Sequence, residues 1–409
     1  MNKFASVFTA LIVVFMFLGA RSAQGQTKNI ESIIKGIEII PLAVIRFQSG
    51  DPAIKPVKED DLSLGYENLG QRTAVNTIFD LGFSKTFEGG AVVFLNIEGS
   101  ANTQEGAGAI GIPVAAWDQL TWYTHTNGVT ELHLTQPFLD DKISVRVGKF
   151  WVHTEISQNE AGGDFDSNIF NGDEIFLGKY GAYYGAAVKV SPNEYIGIDA
   201  QYQVNDIDNI GWDYAAAELI FKLPIEGNEG NYRIAYWQDN AYGLKKIDNN
   251  GNDKRAAASG LVITIDQKII EGISIFGRYG MPISETIGNG TVIGYNAYTI
   301  FGLGFVFSGS LWARTDDSAG IGFGQIAHTG KAADWKFGSI GGSGNDDKSY
   351  KSETHFELYY SYKASDAISF VPSIQFIQNP MGGSVQDAST LSYIDQITVF
   401  SIRLMYNFQ

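Results

Sequence analysis

Phe400-Ser401-Ile402-Arg403-Leu404-Met405-Tyr406-Asn407-Phe408-Gln409 ends the chain, and its apolar side chains fall on every second position. Phe400, Ile402, Leu404, Tyr406 and Phe408 alternate with Ser401, Arg403, Met405 and Asn407. Successive side chains of a strand point to opposite faces, so this segment has one greasy face and one largely polar face. At the end of an exported chain that is the pattern of a closing strand in a membrane β-barrel, with one face toward lipid and the other toward a wet interior. A half-buried strand of a secreted sandwich would look the same locally, so the rest of the chain has to decide.

The other end supplies the export context. Lys3 gives a positive start, Phe4 to Leu18 is an almost unbroken apolar run, and Ala23-Gln24-Gly25 offers small residues for cleavage. Residues 1–25 read as a signal peptide. The apolar run is short of the roughly 20 residues a spanning helix needs, so residues 26–409 are expected to form one unit without a transmembrane helix.

Composition narrows the class. The chain has 47 Gly, 26 Phe, 20 Tyr and no Cys, which fits glycine-rich turns and aromatic girdles better than a disulfide-held secreted domain. Mean hydropathy of -0.06 decides nothing, because barrel strands dilute their lipid face with alternate polar residues. A net charge of -16 makes nucleic acid an improbable partner. Without cysteine there is no thiolate chemistry, and the five His show no metal-ligand spacing. No cofactor or metal is expected, and no nucleophile elbow or zincin pattern marks an enzyme.

Period two recurs along the chain. Ile196, Ile198, Ala200, Tyr202 and Val204 oppose Asp199, Gln201 and Gln203; Leu261, Ile263 and Ile265 oppose Thr264, Asp266 and Lys268; Phe356, Leu358, Tyr360 and Tyr362 oppose Glu357, Tyr359 and Ser361. One hairpin tests the register. Val129 to Leu139 and Lys142 to Phe150 flank Asp140-Asp141, a two-residue turn. With Leu139 opposite Lys142, Leu134 meets Val147 on the greasy face and Thr135 meets Arg146 on the other, and a slip of one residue would destroy that agreement. Counting such segments gives about sixteen, with short links such as Ser191 to Glu194 and long polar ones such as Gly338 to Asp347. The expected fold is all-β, a transmembrane antiparallel up-and-down barrel with long outer loops. A barrel that wide holds an aqueous channel.

Several blocks resemble the carbohydrate-selective porin family, OprB-like. They are Val145-Arg146-Val147-Gly148-Lys149-Phe150, Phe165 to Gly172, Tyr232 to Trp237, Ile275 to Gly280, Arg314-Thr315-Asp316-Asp317, Glu357-Leu358-Tyr359-Tyr360, and Gln375-Phe376-Ile377 before Asn379-Pro380. Their order across residues 129–408 carries the resemblance. It implies a sixteen-stranded outer-membrane barrel through which sugars diffuse, with charged side chains at a constriction. The family's terminal aromatic is here Phe408, followed by Gln409.

A sugar pore needs donors and acceptors that replace hydration without binding too tightly, and a guanidinium offers five donors in a fixed fork. By parity, Arg146, Arg233, Arg278 and Arg403, with Glu131 and Glu357, fall on the lumen side and are the candidate pore-lining, sugar-contacting residues. Lys149 falls on the lipid parity at a strand end. Asp164, Asp166 and Asn168 have the alternation that begins a calcium loop, but Ile169 and Ile175 stand where Gly and Glu are required, so Glu155 to Glu174 is read as a loop that folds toward the lumen or caps the mouth. Expected partners are mono- or oligosaccharides, outer-membrane lipid and the barrel-assembly machinery, with monomer and homotrimer both open. A secreted β-rich glycoside hydrolase or a glycan-binding surface protein is the alternative; Asp316-Asp317 would be its carboxylate pair, a poor one if the two face opposite ways along a strand.

Overall fold

In the computed structural model, sixteen antiparallel strands close into a single barrel. It describes residues 36–51, 54–55, 73–102, 128–152, 156–172, 176, 181–204, 213–240, 245–247, 253–255, 257–284, 298–328, 351–380, 386–387 and 394–407. The signal-peptide reading of residues 1–25, the Gly338 to Asp347 link, Phe408 and Gln409 lie outside the described residues.

The barrel strands are β1 (Ile37–Asp51), β2 (Thr73–Thr86), β3 (Val92–Asn102), β4 (Gly128–Phe138), β5 (Ile143–Trp151), β6 (Ala182–Val190), β7 (Ile196–Val204) and β8 (Asp213–Lys222). They continue with β9 (Gly230–Asp239), β10 (Ala258–Ile270), β11 (Ile273–Pro282), β12 (Tyr298–Ser308), β13 (Ser318–His328), β14 (Glu353–Lys363), β15 (Ile368–Gln378) and β16 (Gln396–Asn407). Each pairs with its neighbours in sequence, and β16 pairs back onto β1, so no strand edge is left open. Links at one end are short and all but one of those at the other are long, the exception being residues 205–212 between β7 and β8, much as in barrels with short periplasmic turns and longer outer loops.

Alternation decides which side of the wall each residue takes. Leu134, Ile198, Leu358 and Ile402 are 39–54% exposed on the outside, while their neighbours Asp199, Gln201, Glu357 and Arg403 are buried inside. A water-soluble monomer does not carry so large an apolar surface, whereas lipid requires it. The hairpin register is as expected: Phe138 pairs Ile143, Leu134 pairs Val147 and Thr135 pairs Arg146. Asp140 and Asp141 adopt φ of 54° and 64° and Lys142 N donates to Leu139 O at 3.2 Å, the mirror-image turn that matches strand twist. Lys149 has the outward parity and donates from Nζ to Val129 O at 2.8 Å.

The link between β5 and β6 folds inward and fills part of the barrel. Its Ile156, Phe165, Ile169 and Phe170 are fully buried, so the molecule's apolar core is this segment packed on the inner wall.

Candidate functional site

Residues 156–172 meet the wall strand by strand. Ser157 N donates to Glu218 on β8 at 2.8 Å, Glu160 accepts from Arg233 on β9 at 2.7 Å, and Ala161 N donates to Asp266 on β10 at 3.2 Å. Arg278 on β11 donates to Ser157 O at 2.8 Å, to Ser157 Oγ at 3.1 Å, and to Phe170 O and Gly172 O at 3.4 and 3.2 Å. One guanidinium therefore gathers both ends of the segment, and it lies 4.1 Å from the Phe176 ring centroid. Glu357 on β14 accepts two consecutive amides, Asp166 N at 2.6 Å and Ser167 N at 2.9 Å. Charge-assisted bonds to backbone groups are among the stronger ones proteins make.

Packing complements the polar anchors. Phe165 lies 4.9 Å from Phe170 in a tilted pair and meets Phe276 at 5.4 Å and Tyr359 at 4.7 Å edge to face, centroid to centroid, and such pairs contribute about 0.5–1.5 kcal/mol beyond their burial. The wall is thin where these rings sit. A Cβ at Gly322 on β13 would lie 2.9 Å from both Phe165 and Phe170, and one at Gly302 on β12 would lie 2.7 Å from Ile169 O. Glycine is there because the segment occupies the space of a side chain, with rings at Gly322 and the Ile169 carbonyl at Gly302.

At the far end of this path Asp166 is fully buried beside Arg46 on β1 and Arg403 on β16, at 3.5 and 3.7 Å. Burial works against its charged form, but Arg46 and Arg403, with Ser373 donating from β15, outweigh it and hold the carboxyl below its ordinary value. Asp164 accepts from Ser318 Oγ at 2.9 Å, and its carbonyl accepts from Arg403 at 2.8 Å. The two aspartates of the calcium-like pattern thus meet arginines and hydroxyls of the wall.

The inner face of β2 to β5 differs. Asp80, Asn96, Glu131, Thr135 and Arg146 are only partly buried there. Asn96 donates to Asp80 at 3.2 Å and to Thr130 Oγ1 at 3.0 Å. Arg146 Nε donates to Thr135 Oγ1 at 3.2 Å, Thr135 lies 3.5 Å from His133 Nδ1, and His133 Nε2 lies 3.5 Å from Glu131. Phe94 and Phe150 flank His133, with centroids at 5.3 and 6.4 Å. This strip presents donors and acceptors over the buried rings of His133 and Phe150.

All six residues picked out by parity lie on the inner side, but in two groups. Arg233, Arg278, Glu357 and Arg403 are nearly or fully buried in contacts with the in-folded segment, whereas Arg146 and Glu131 belong to the partly exposed strip. The reading from sequence passed over Arg46, Asp80, Asn96 and His133. Arg46 sits between outward Ile45 and Phe47, so alternation could have found it. Asp316-Asp317 lies in the turn before β13, where Asp317 accepts from Arg314 and Tyr360, both at 2.5 Å, and from Lys363 N at 3.0 Å. Those donors, Arg314 first, hold Asp317 well below the usual carboxylate range.

The fold recurs in solved porins. Pseudomonas putida OprB in its high-pH structure aligns with a TM-score of 0.71 at 17% identity, covering 93% of this chain and 96% of that one. An anion-selective porin from Comamonas acidovorans gives 0.54 at 9% identity, over 91% of this chain and 99% of that one. A Rhodopseudomonas blastica porin variant gives 0.52 at 10% identity, over 91% and 100%. No curated protein matches the chain in sequence. The fold and family are those of a non-enzymatic channel of the outer membrane. The profile of the carbohydrate-selective porin, OprB family matches residues 63–408, and the chain accordingly belongs to that family, as a porin through which carbohydrates diffuse passively.

Proposed function

We propose that carbohydrates pass between the in-folded segment 156–172 and the inner face of β2 to β5, and that Arg146, Glu131, Thr135, Asn96 and Asp80 take over part of their hydration on the way, with His133 buried beneath them. The observation that carries this reading is the division of the inner wall: Glu218, Arg233, Asp266, Arg278, Glu357 and Arg403 are bonded to the segment, while Asp80, Asn96, Glu131, Thr135 and Arg146 on β2 to β5 keep partial exposure. Side chains that stay wet can trade water for sugar hydroxyls at small cost, because their bonds to the ligand replace bonds to solvent. A conduction site has to bind weakly enough to release.

In this reading Arg233, Arg278, Glu357 and Arg403 set the bore by holding the segment, and Arg146 and Glu131 meet the sugar. The chain is a passive channel rather than an enzyme, with residues 1–25 directing export and the barrel-assembly machinery inserting residues 26–409. Liposome swelling with neutral sugars against amino acids of similar size tests the proposal on the parent and on Arg146→Ala. Faster sugar entry than amino-acid entry, lost in the variant, is expected. Equal rates for all solutes in the parent would reject selective sugar passage.

A further inference from the structure

Arg46 and Arg403 are direct cross-strand partners in the pairing of β1 with β16. This is the seam at which the first and last strands close the barrel. Like charges directly opposite each other in a ladder are destabilising, and these two are only 3% and 5% exposed, so solvent screens them little. Nothing about a sheet requires two arginines here; the lipid-facing pairs on either side, Ile45 with Leu404 and Phe47 with Ile402, are apolar. What stands beside both guanidinium groups is a carboxylate from elsewhere in the chain.

That carboxylate is Asp166. Its Oδ1 faces Arg46 Nη2 at 3.5 Å and Arg403 Nη1 at 3.7 Å and accepts no hydrogen bond among the described residues, so toward the arginines it acts as a charge. Its other oxygen accepts from Ser373 on β15. The side chain therefore ties together β15, β16 and β1. Glu357 fixes its position by accepting the amides of Asp166 and Ser167.

We infer that Asp166 is a positioning residue with two linked effects: it docks the in-folded segment, and, as the carboxylate that stands beside both arginines, with Asp164 Oδ1 a further 3.8 Å from Arg403, it offsets part of their mutual repulsion so that the first and last strands close stably. The bore and the barrel seam are then one unit. The segment cannot leave the wall without exposing β1 and β16 to the repulsion between Arg46 and Arg403, and the seam cannot reach full stability until the segment has folded in. The inference concerns closure of the wall and holds whatever solute the pore selects.

The test uses the full-length protein in detergent and in planar bilayers, reading two quantities: the temperature at which the folded band converts to the unfolded one on electrophoresis, and single-channel conductance. Asp166→Asn is expected to lower the conversion temperature by several degrees and to raise conductance. Adding Arg46→Met to Asp166→Asn removes one of the two repelling charges and is expected to recover most of the lost temperature while conductance stays high. A hydrogen-bonding role alone would not produce that rescue. Where Asp166→Asn fails to assemble, the double variant is expected to restore folded yield. An unchanged conversion temperature in Asp166→Asn, or a loss that neither Arg46→Met nor Arg403→Met relieves, would overturn the inference.

Discussion

The two halves of the inner wall carry similar side chains in different states. Along β8 to β16, Glu218, Arg233, Asp266, Arg278, Glu357 and Arg403 are at most 6% exposed and bonded to the in-folded segment, with Arg278 at 1% and Glu357 at 0%. Along β2 to β5, Arg146 and Glu131 keep contact with the lumen. The contrast teaches that facing inward is not the same as lining the pore. A charge sealed beneath a loop acts on transport through geometry, and a charge left wet acts through contact.

The largest effect is expected from the covered half. Glu357→Ala leaves the amides of Asp166 and Ser167 without their acceptor, at a cost on the order of 1–3 kcal/mol for each buried group. The segment should detach from β14, raising single-channel conductance and weakening discrimination among sugars by size. Parent-like conductance would break the division between the two halves. Gly322→Val comes next, because its side chain would enter space held by Phe165 and Phe170; overpacking of this kind costs about 1–3 kcal/mol. A lower temperature of unfolding on electrophoresis is the expected readout.

On the open half, Arg146→Ala should lower that temperature less than Glu357→Ala does, because Arg146 is only partly buried and Glu357 is fully so. It should nevertheless raise conductance and reduce block by sugar. Unchanged conductance and block would remove Arg146 from the sugar path and sharpen the comparison toward Glu131 and Asn96. The smallest effect concerns the turn before β13. Asp317 is held below the ordinary carboxylate value of about 3.9, so its contribution is fully present above that value and is lost as pH falls through the lower folded one. Unfolding followed by tryptophan fluorescence should show this turn's contribution intact between pH 7 and pH 5, with acid sensitivity only below the usual range. Asp317→Asn should flatten that acid limb alone.

Much of this was readable before any coordinates. Alternation with period two depends only on where the Cβ atoms of an extended chain point, so Ile198 against Gln201, Leu358 against Glu357 and the Phe138 with Ile143 register followed from sequence order. The strand number and the inward face of Arg146, Arg233, Arg278 and Arg403 came from the same rule. Sequence also singled out residues 155–174 as a segment for the lumen or its mouth.

Which inward residue stays wet was not readable, because that depends on where a 30-residue link between β5 and β6 comes to rest. Its anchors lie far apart in the chain: Asp166 N reaches Glu357 across 191 positions, and Arg403 reaches Asp164 across 239. No local pattern encodes a contact of that span, since strand parity fixes direction and leaves height and cover undetermined. The sequence by itself determined a barrel with one apolar and one polar face, because pleat and period are local properties. Only the tertiary structure decided that Arg278, Glu357 and Arg403 are sealed beneath the segment while Arg146 and Glu131 stay partly exposed on the inner face, because burial is set by what a distant part of the chain covers.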